Sequence, residues 1–316
     1  MKVSALIPTY NRRAQVQRAI ESVLAQTLPV AEIIVVDDGS TDGTADAIRT
    51  QYGSQVALIE QKNAGAAAAR NRGIREAQSE WVAFLDSDDV WLSTKIERQI
   101  EALKALGGEF GLCFTDCVYE GNPEKKLSVF QETGLEDVPK FGTLEDPARY
   151  VLNSREPFWT QSLLVRRSLL EEIKGFDERL PVREDTDVLF RLSFRTRFCF
   201  VAGPLVRIDR TPSRDGLCNL YLTKDGRIYD CLEKLYSKWL SLPEVRGADY
   251  ERPVRELLRA VHLESTEFNI RRFRMGRALR QIRRLRAMGD SYTSLVTTLA
   301  QRKIAKLRRD LSAPIT

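Results

Sequence analysis

Hydrophobic and polar positions alternate between two periods along the first hundred residues. Lys2–Ile7 is a short apolar run that stops at Pro8. Arg12–Gln26 then places Val16, Ala19, Ile20, Val23 and Leu24 on one helical stripe. Glu32–Asp37 is β-branched and apolar on both faces, as a buried parallel strand requires. A helix over Thr44–Tyr52, a strand over Val56–Glu60, an Ala-rich helix over Ala64–Ala77 and a strand over Glu80–Asp86 follow. Ser93–Leu106 carries Ile96, Ile100, Leu103 and Leu106 on one face. Strands joined by helices at this spacing predict a parallel sheet covered on both faces, with ligands at the carboxyl ends of its strands.

The pattern changes after Gly107. Phe110–Tyr119 reads as a strand, Glu120–Asp146 as a polar loop, Trp159–Val165 as a strand, Ser168–Lys174 as a short helix and Glu184–Phe194 as a helix. Phe198–Val201 and Leu205–Ile208 read as two terminal strands, and helical patterns dominate beyond Pro212. The expected organisation is 1–106 and 107–212 as two halves of one α/β domain, with a helical basic region over 213–316.

Composition adds two constraints. The 316 residues are 43% hydrophobic and 29% charged, ordinary for a globular chain. No run of 18 apolar residues occurs, and the start of the chain lacks a signal-peptide core, so a cytoplasmic protein is expected. Five cysteines without a C-x-x-C, and one histidine far from them, argue against a zinc site or a disulfide framework. The net charge of +5 hides an asymmetry: residues 271–310 hold 13 Lys/Arg and 2 Asp/Glu, so the remainder is mildly acidic.

The chemistry is suggested by where carboxylates fall. Asp37-Asp38 ends the second strand and Asp86-Ser87-Asp88-Asp89 the fourth, so both clusters should emerge at one sheet edge. Such crowding is costly unless cations or donors meet it, and hard oxygen ligands on alternate residues suit Mg2+ or Mn2+ on a diphosphate. Asp42 reads instead as an ordinary turn residue. Neither G-x-x-x-x-G-K-[ST] nor G-x-G-x-x-G is present, which removes the main warrant for a P-loop NTPase or a Rossmann dehydrogenase. Asn63-Ala64-Gly65 precedes the helix that carries Arg70 and Asn71, and spacing alone fits a packed Ala-rich helix with Arg70 solvated as well as a functional role.

Five motifs then occur in order: Pro8-Thr9-Tyr10-Asn11, Val36 to Thr44 (VDDGSTDGT), Ala69-Arg70-Asn71-Arg72-Gly73, Phe84 to Asp89 (FLDSDD), and Gly175-Phe176-Asp177-Glu178 with Arg183 to Asp187 (REDTD). Together they resemble family 2 glycosyltransferases, inverting enzymes of the GT-A fold, over roughly residues 2–210. The resemblance implies a Rossmann-like, mostly parallel sheet with helices on both faces; the helical C-terminal extension, read from its pattern, lies beyond it. It implies nucleotide contacts from Pro8, Thr9, Tyr10, Asp38, Arg70 and Asp86. Asp86 and Asp88 would be the D-x-D pair on Mn2+ or Mg2+, with Asp88 the direct ligand, and Asp185 the general base. The implied donor is a nucleotide sugar, a UDP-sugar foremost, and the acceptor a glycan or lipid-linked hydroxyl in surface polysaccharide or glycolipid assembly. Asp185 also has a helix-opening reading beside Glu184, and Asp187 is expected to cap or support. The family's usual histidine after the last core strand is missing; Asp209 is a candidate third ligand, and Arg210 or Arg214 candidate phosphate contacts.

Two other readings stand beside this one. Phe84 to Val90 also fits the D-x-D-x-V pattern of haloacid-dehalogenase-like phosphatases, with Asp86 as nucleophile. A sugar-nucleotide-binding protein without turnover is the other. In the basic tail, Met275, Ala278, Leu279, Ile282 and Leu285 share a helical face. That stripe fits packing on the body, a second subunit or an anionic membrane at the inner face; nucleic acid is not expected, because aromatics are sparse.

Overall fold

The computed structural model describes residues 1–107, 109–121, 124, 126–210, 226–299 and 301–302. They fall into two compact units, Met1–Arg214 and Asp215–Thr316. In the first unit β1 (Val3–Thr9), β2 (Glu32–Asp37), β3 (Ala57–Glu60) and β4 (Trp81–Phe84) form the parallel half of one nine-stranded sheet. Helices α1 (Arg13–Leu24), α2 (Thr44–Tyr52) and α3 (Ala66–Glu76) connect them, and α4 (Lys95–Ala105) follows the two-residue strand β5 (Val90–Trp91). All seven residues of β1 are buried, because the helices cover both faces of the sheet.

The second half of the sheet is mixed. Strand β6 (Phe110–Glu120) precedes helix α5 (Val129–Thr133), strand β7 (Phe141–Leu144) and helix α6 (Pro147–Leu152). Strand β8 (Leu164–Arg166), helices α7 (Arg167–Glu172) and α8 (Glu184–Leu192), and strand β9 (Arg197–Asp209) complete the unit. The order is β3-β2-β1-β4-β8-β6-β9-β5, with β7 paired to β9. β8 runs antiparallel to β4 and β6, and β5 and β7 antiparallel to β9.

Three expectations are corrected. The stretch 120–146 is not all loop: α5 is opened by a Ser128–Gln131 capping box, and β7 pairs with β9. Trp159–Val165 is a 3-10 turn over Thr160–Ser162 leading into the short β8. The two terminal strands are one, β9, whose pairing to β6 slips around Asp116 opposite Gly203-Pro204. A positive-φ glycine and a proline there break the apolar pattern without ending the strand.

The second unit is helical: α9 (Arg227–Ser241), α10 (Glu251–Arg271), α11 (Met275–Ala287) and a further helical stretch over 292–299. Part of its core is Leu263, Leu285 and Leu295, with Ile282 and Leu299 against them. Among the described residues, no helix is long and apolar enough to cross a membrane.

Candidate active site

Because β2 and β4 both lie parallel to β1, their acidic ends do emerge at one edge. The loop after β4 is short and pinned. Asp89 N–H donates to Asp86 O at 3.0 Å, and β5 then pairs with Val206 and Arg207 of β9.

The first two motifs are stitched together. Asn11 N–H donates to Ser40 Oγ at 2.8 Å, and Asn11 Oδ1 accepts from Thr41 N at 2.8 Å. Thr9 closes β1 only 3% exposed, with an Oγ1 that has no partner among the described residues. Pro8 is buried beside it and Tyr10 is exposed at the rim. Asp38 is buried and its oxygens are committed: they accept from Gln61 Nε2 (2.7 Å), Ala64 N (2.9 Å) and Gly65 N (2.7 Å). Asp42 accepts from Thr44 and Arg13 amides, an ordinary turn as expected.

The third motif does two things at once. Helix α3 packs so closely on β1 that a Cβ at Gly73 would sit 2.4 Å from Leu6. On that helix Arg70 is buried, not solvated. Its guanidinium donates to Asp86 Oδ1 at 2.7 Å and Glu184 Oε1 at 2.8 Å, and stands 5.3 Å from the Phe176 ring centroid. Neighbouring Asn71 clamps the fifth motif: Nδ2 donates to Phe176 O and Glu178 Oε1, both at 2.9 Å, while Oδ1 accepts from Phe176 N. Gly175 makes this approach feasible. It has φ +62, and a Cβ there would lie 2.3 Å from Asn71 Oδ1.

Helix α8 therefore opens against the sheet edge. Burial and the adjacent Asp185 push the Glu184 carboxyl up to about 7, although Arg70 pulls it down. Asp185 is half-buried and its Oδ1 accepts from Thr186 N at 2.7 Å. Asp187 is fully buried and pairs with Arg191 at 2.6 Å; Arg191 in turn donates to Gly175 O at 2.6 Å, so Asp187 supports the loop and does not face the site.

At the D-x-D end, Asp88 pairs with Arg12 at 2.7 Å. Burial raises the carboxyls of Asp88 and, much further, Asp89; the charge of Asp86 adds to both, and that of Asp88 to Asp89. Asp89 accepts from Asp209 N at 2.9 Å, and the Asp209 side chain pairs with Arg18 at 3.3 Å. Among the described residues no three His, Cys, Asp or Glu side chains gather as a metal-ligand group. Arg210 lies 4.8 Å from the Trp159 ring centroid and 5.8 Å from that of Tyr119. Arg214 lies outside the described residues, as does Cys218. Glu184, Arg12 and Gln61 were not legible as site residues, since each is defined by a partner far away in sequence.

A parallel half-sheet with acidic strand ends, beside a mixed half that brings an acidic helix start, is the GT-A arrangement. The chain belongs to the family described as Glycosyl transferase family 2, whose sequence model matches residues 4–172. It is 46% identical over 131 residues to the putative teichuronic acid biosynthesis glycosyltransferase TuaG of Bacillus subtilis, covering 40% of this chain and 51% of that protein. Its fold matches S. aureus TarS in complex with UDP-GlcNAc (TM-score 0.62, 18% identity, 85% of this chain and 73% of that one). It also matches the mannosyltransferase PcManGT from Pyrobaculum calidifontis in complex with GDP-Man and Mn2+ (TM-score 0.52, 20% identity, 97% of this chain and 80% of that one). The chain spans about half the length of the curated relatives it matches. Family membership sets aside the phosphatase reading of Phe84 to Val90.

Proposed function

We propose that the protein is a metal-dependent inverting glycosyltransferase that moves a sugar from a nucleotide donor, a UDP-sugar foremost, to a hydroxyl of a glycan or lipid-linked acceptor. The observation that carries this reading is Arg70: one buried guanidinium joins Asp86, on the donor side, to Glu184 at the start of α8, where Asp185 would serve the acceptor. Pro8, Thr9 and Tyr10 would contact the nucleotide. Asp38 would shape the base pocket through the 61–65 loop it already holds. The UDP-GlcNAc and GDP-Man in the two structural neighbours support a nucleotide-sugar donor, and TuaG supports polysaccharide assembly.

The residues fit a divalent cation. Asp86 and Asp88 are partly exposed and Asp89 is buried, three close carboxylates whose mutual repulsion a hard cation would relieve. Asp88, released from Arg12, and Asp86, through the oxygen that Arg70 does not hold, would bind the ion, and the ion would supply Lewis-acid stabilisation of the departing diphosphate. Asp185 would accept the proton of the acceptor hydroxyl as it attacks, and one such base opposite the leaving group gives single displacement with inversion. Asp185→Asn should keep donor affinity near wild type and cut transfer about 10²–10⁴-fold. Undiminished turnover with lowered stability would leave Asp185 only its helix-opening role.

The tail supports action at the inner face of a membrane. Ala278 and Leu285 pack inward, but Phe273 is 89% exposed, and Met275, Leu279, Tyr292 and Val296 are also exposed among arginines. Such a face suits peripheral contact with anionic lipid.

A further inference from the structure

The helical unit holds a polar cavity for which the transfer reaction has no use. It encloses about 210 Å³ against α9, α10 and α11. Ser265, Asn269 and Gln281 line it while only 4–6% exposed, so they form its floor. Their orientations are fixed. Asn269 Nδ2 donates to Ser265 O at 2.7 Å, and Gln281 Oε1 meets His262 Nδ1 at 2.6 Å. Asn269 Oδ1 is left buried without a partner, which ordinarily costs about 1–3 kcal/mol.

The rim is cationic. Arg277, Arg280 and Arg284 line it against a single carboxylate, Asp230. Arg284 is paired to Glu233, whereas Arg277 and Arg280 have no ion-pair partner among the described residues. A ligand that completes this arrangement would carry negative charge for the two guanidiniums and polar groups for the amide and hydroxyl floor. Guanidinium forks match phosphoryl oxygens. The volume falls below the roughly 300–1,000 Å³ of pockets for larger ligands, which favours a small phosphorylated head over a nucleotide.

We propose that this cavity binds a phosphate group borne on a small polar head, held by Arg277 and Arg280 above the floor of Ser265, Asn269 and Gln281. A free phosphate ester and a lipid headgroup share this chemistry.

The test is arginine modification by phenylglyoxal on the full chain, mapped by peptide mass spectrometry. Glycerol 3-phosphate is one protecting probe and dihexanoyl phosphatidylglycerol below its micelle concentration the other. Modification of Arg277 and Arg280 should slow by about fivefold or more, while Arg283, on the same helix but outside the lining, keeps its rate. Protection by either probe supports the site, and the stronger protector identifies the source. By calorimetry the doubly substituted Arg277→Ala, Arg280→Ala protein should bind that probe at least tenfold more weakly at an unchanged thermal midpoint, both side chains being exposed. Equal slowing of all three arginines, or none with either probe, overturns the proposal. Either result leaves the transferase reading untouched, because the readout is local to α11.

Discussion

Replacing Glu184 by Gln isolates the electrostatics of the candidate site from its shape. The amide keeps an oxygen to accept from Arg70 at the position Oε1 holds, but it cannot ionise. In the native protein the carboxyl titrates near 7 in place of 4.5, because it is buried beside Asp185. The folded state then binds more protons than the unfolded between those two values, so the stabilising contribution is full below about pH 4.5 and lost as pH rises through 7. At about 1.4 kcal/mol per pH unit the whole window is worth ~3 kcal/mol, of which roughly 2–3 kcal/mol falls between pH 5 and pH 8. Urea unfolding at these two pH values, followed by the fluorescence of Trp81, Trp91 and Trp159 in the first unit, measures it. Relative to wild type, Glu184→Gln should be more stable at pH 8 than at pH 5 by that amount, since other titrating groups are common to both proteins. Parallel pH profiles would refute the reasoning. They would mean that Glu184 is ionised throughout, with Arg70 outweighing burial.

Asp88→Asn removes a hard anionic ligand at a strand end, so calorimetry should show loss of Mn2+-dependent nucleoside diphosphate binding with the fold retained; unchanged affinity would take Asp88 out of the metal site. Met275→Glu with Leu279→Glu should abolish sedimentation with phosphatidylglycerol vesicles at low salt, where each nearby arginine contributes ~1 kcal/mol, and leave donor hydrolysis intact. If the native chain ignores such vesicles, the exposed stripe has another partner.

The parallel half of the fold was legible because each of its strands carries its own signal. Burial on both faces writes Glu32–Asp37 as a continuous apolar run, and the acidic residues directly after it mark the sheet edge. The mixed half was not. β5 has two residues and β7 four, and each exists only by pairing with β9, whose own pattern is interrupted at Gly203-Pro204. A local reading sees loops there.

The site divides the same way. Asp38, Asp86 and Asp88 stand where strand ends deliver them, whereas Glu184 was passed over for Asp185. Its meaning comes from Arg70, 114 positions earlier in the chain. Lys95 is a second instance. The helical stripe of α4 was read from Ile96, Ile100 and Leu103, yet Lys95 and Gln99 are also fully buried. They bond each other at 2.9 Å, with the ammonium 4.2 Å from the Trp91 ring centroid.

The central claim is catalytic, and nucleotide release tests it most directly. The protein is incubated with UDP-, GDP- and dTDP-sugars, in Mn2+ or in EDTA, and free nucleoside diphosphate is measured by chromatography. The account predicts release above background from at least one donor, UDP-sugars foremost, in Mn2+; EDTA and Asp88→Asn should each abolish it. No release from any donor would contradict the transferase mechanism, and equal release in EDTA would contradict its dependence on a metal.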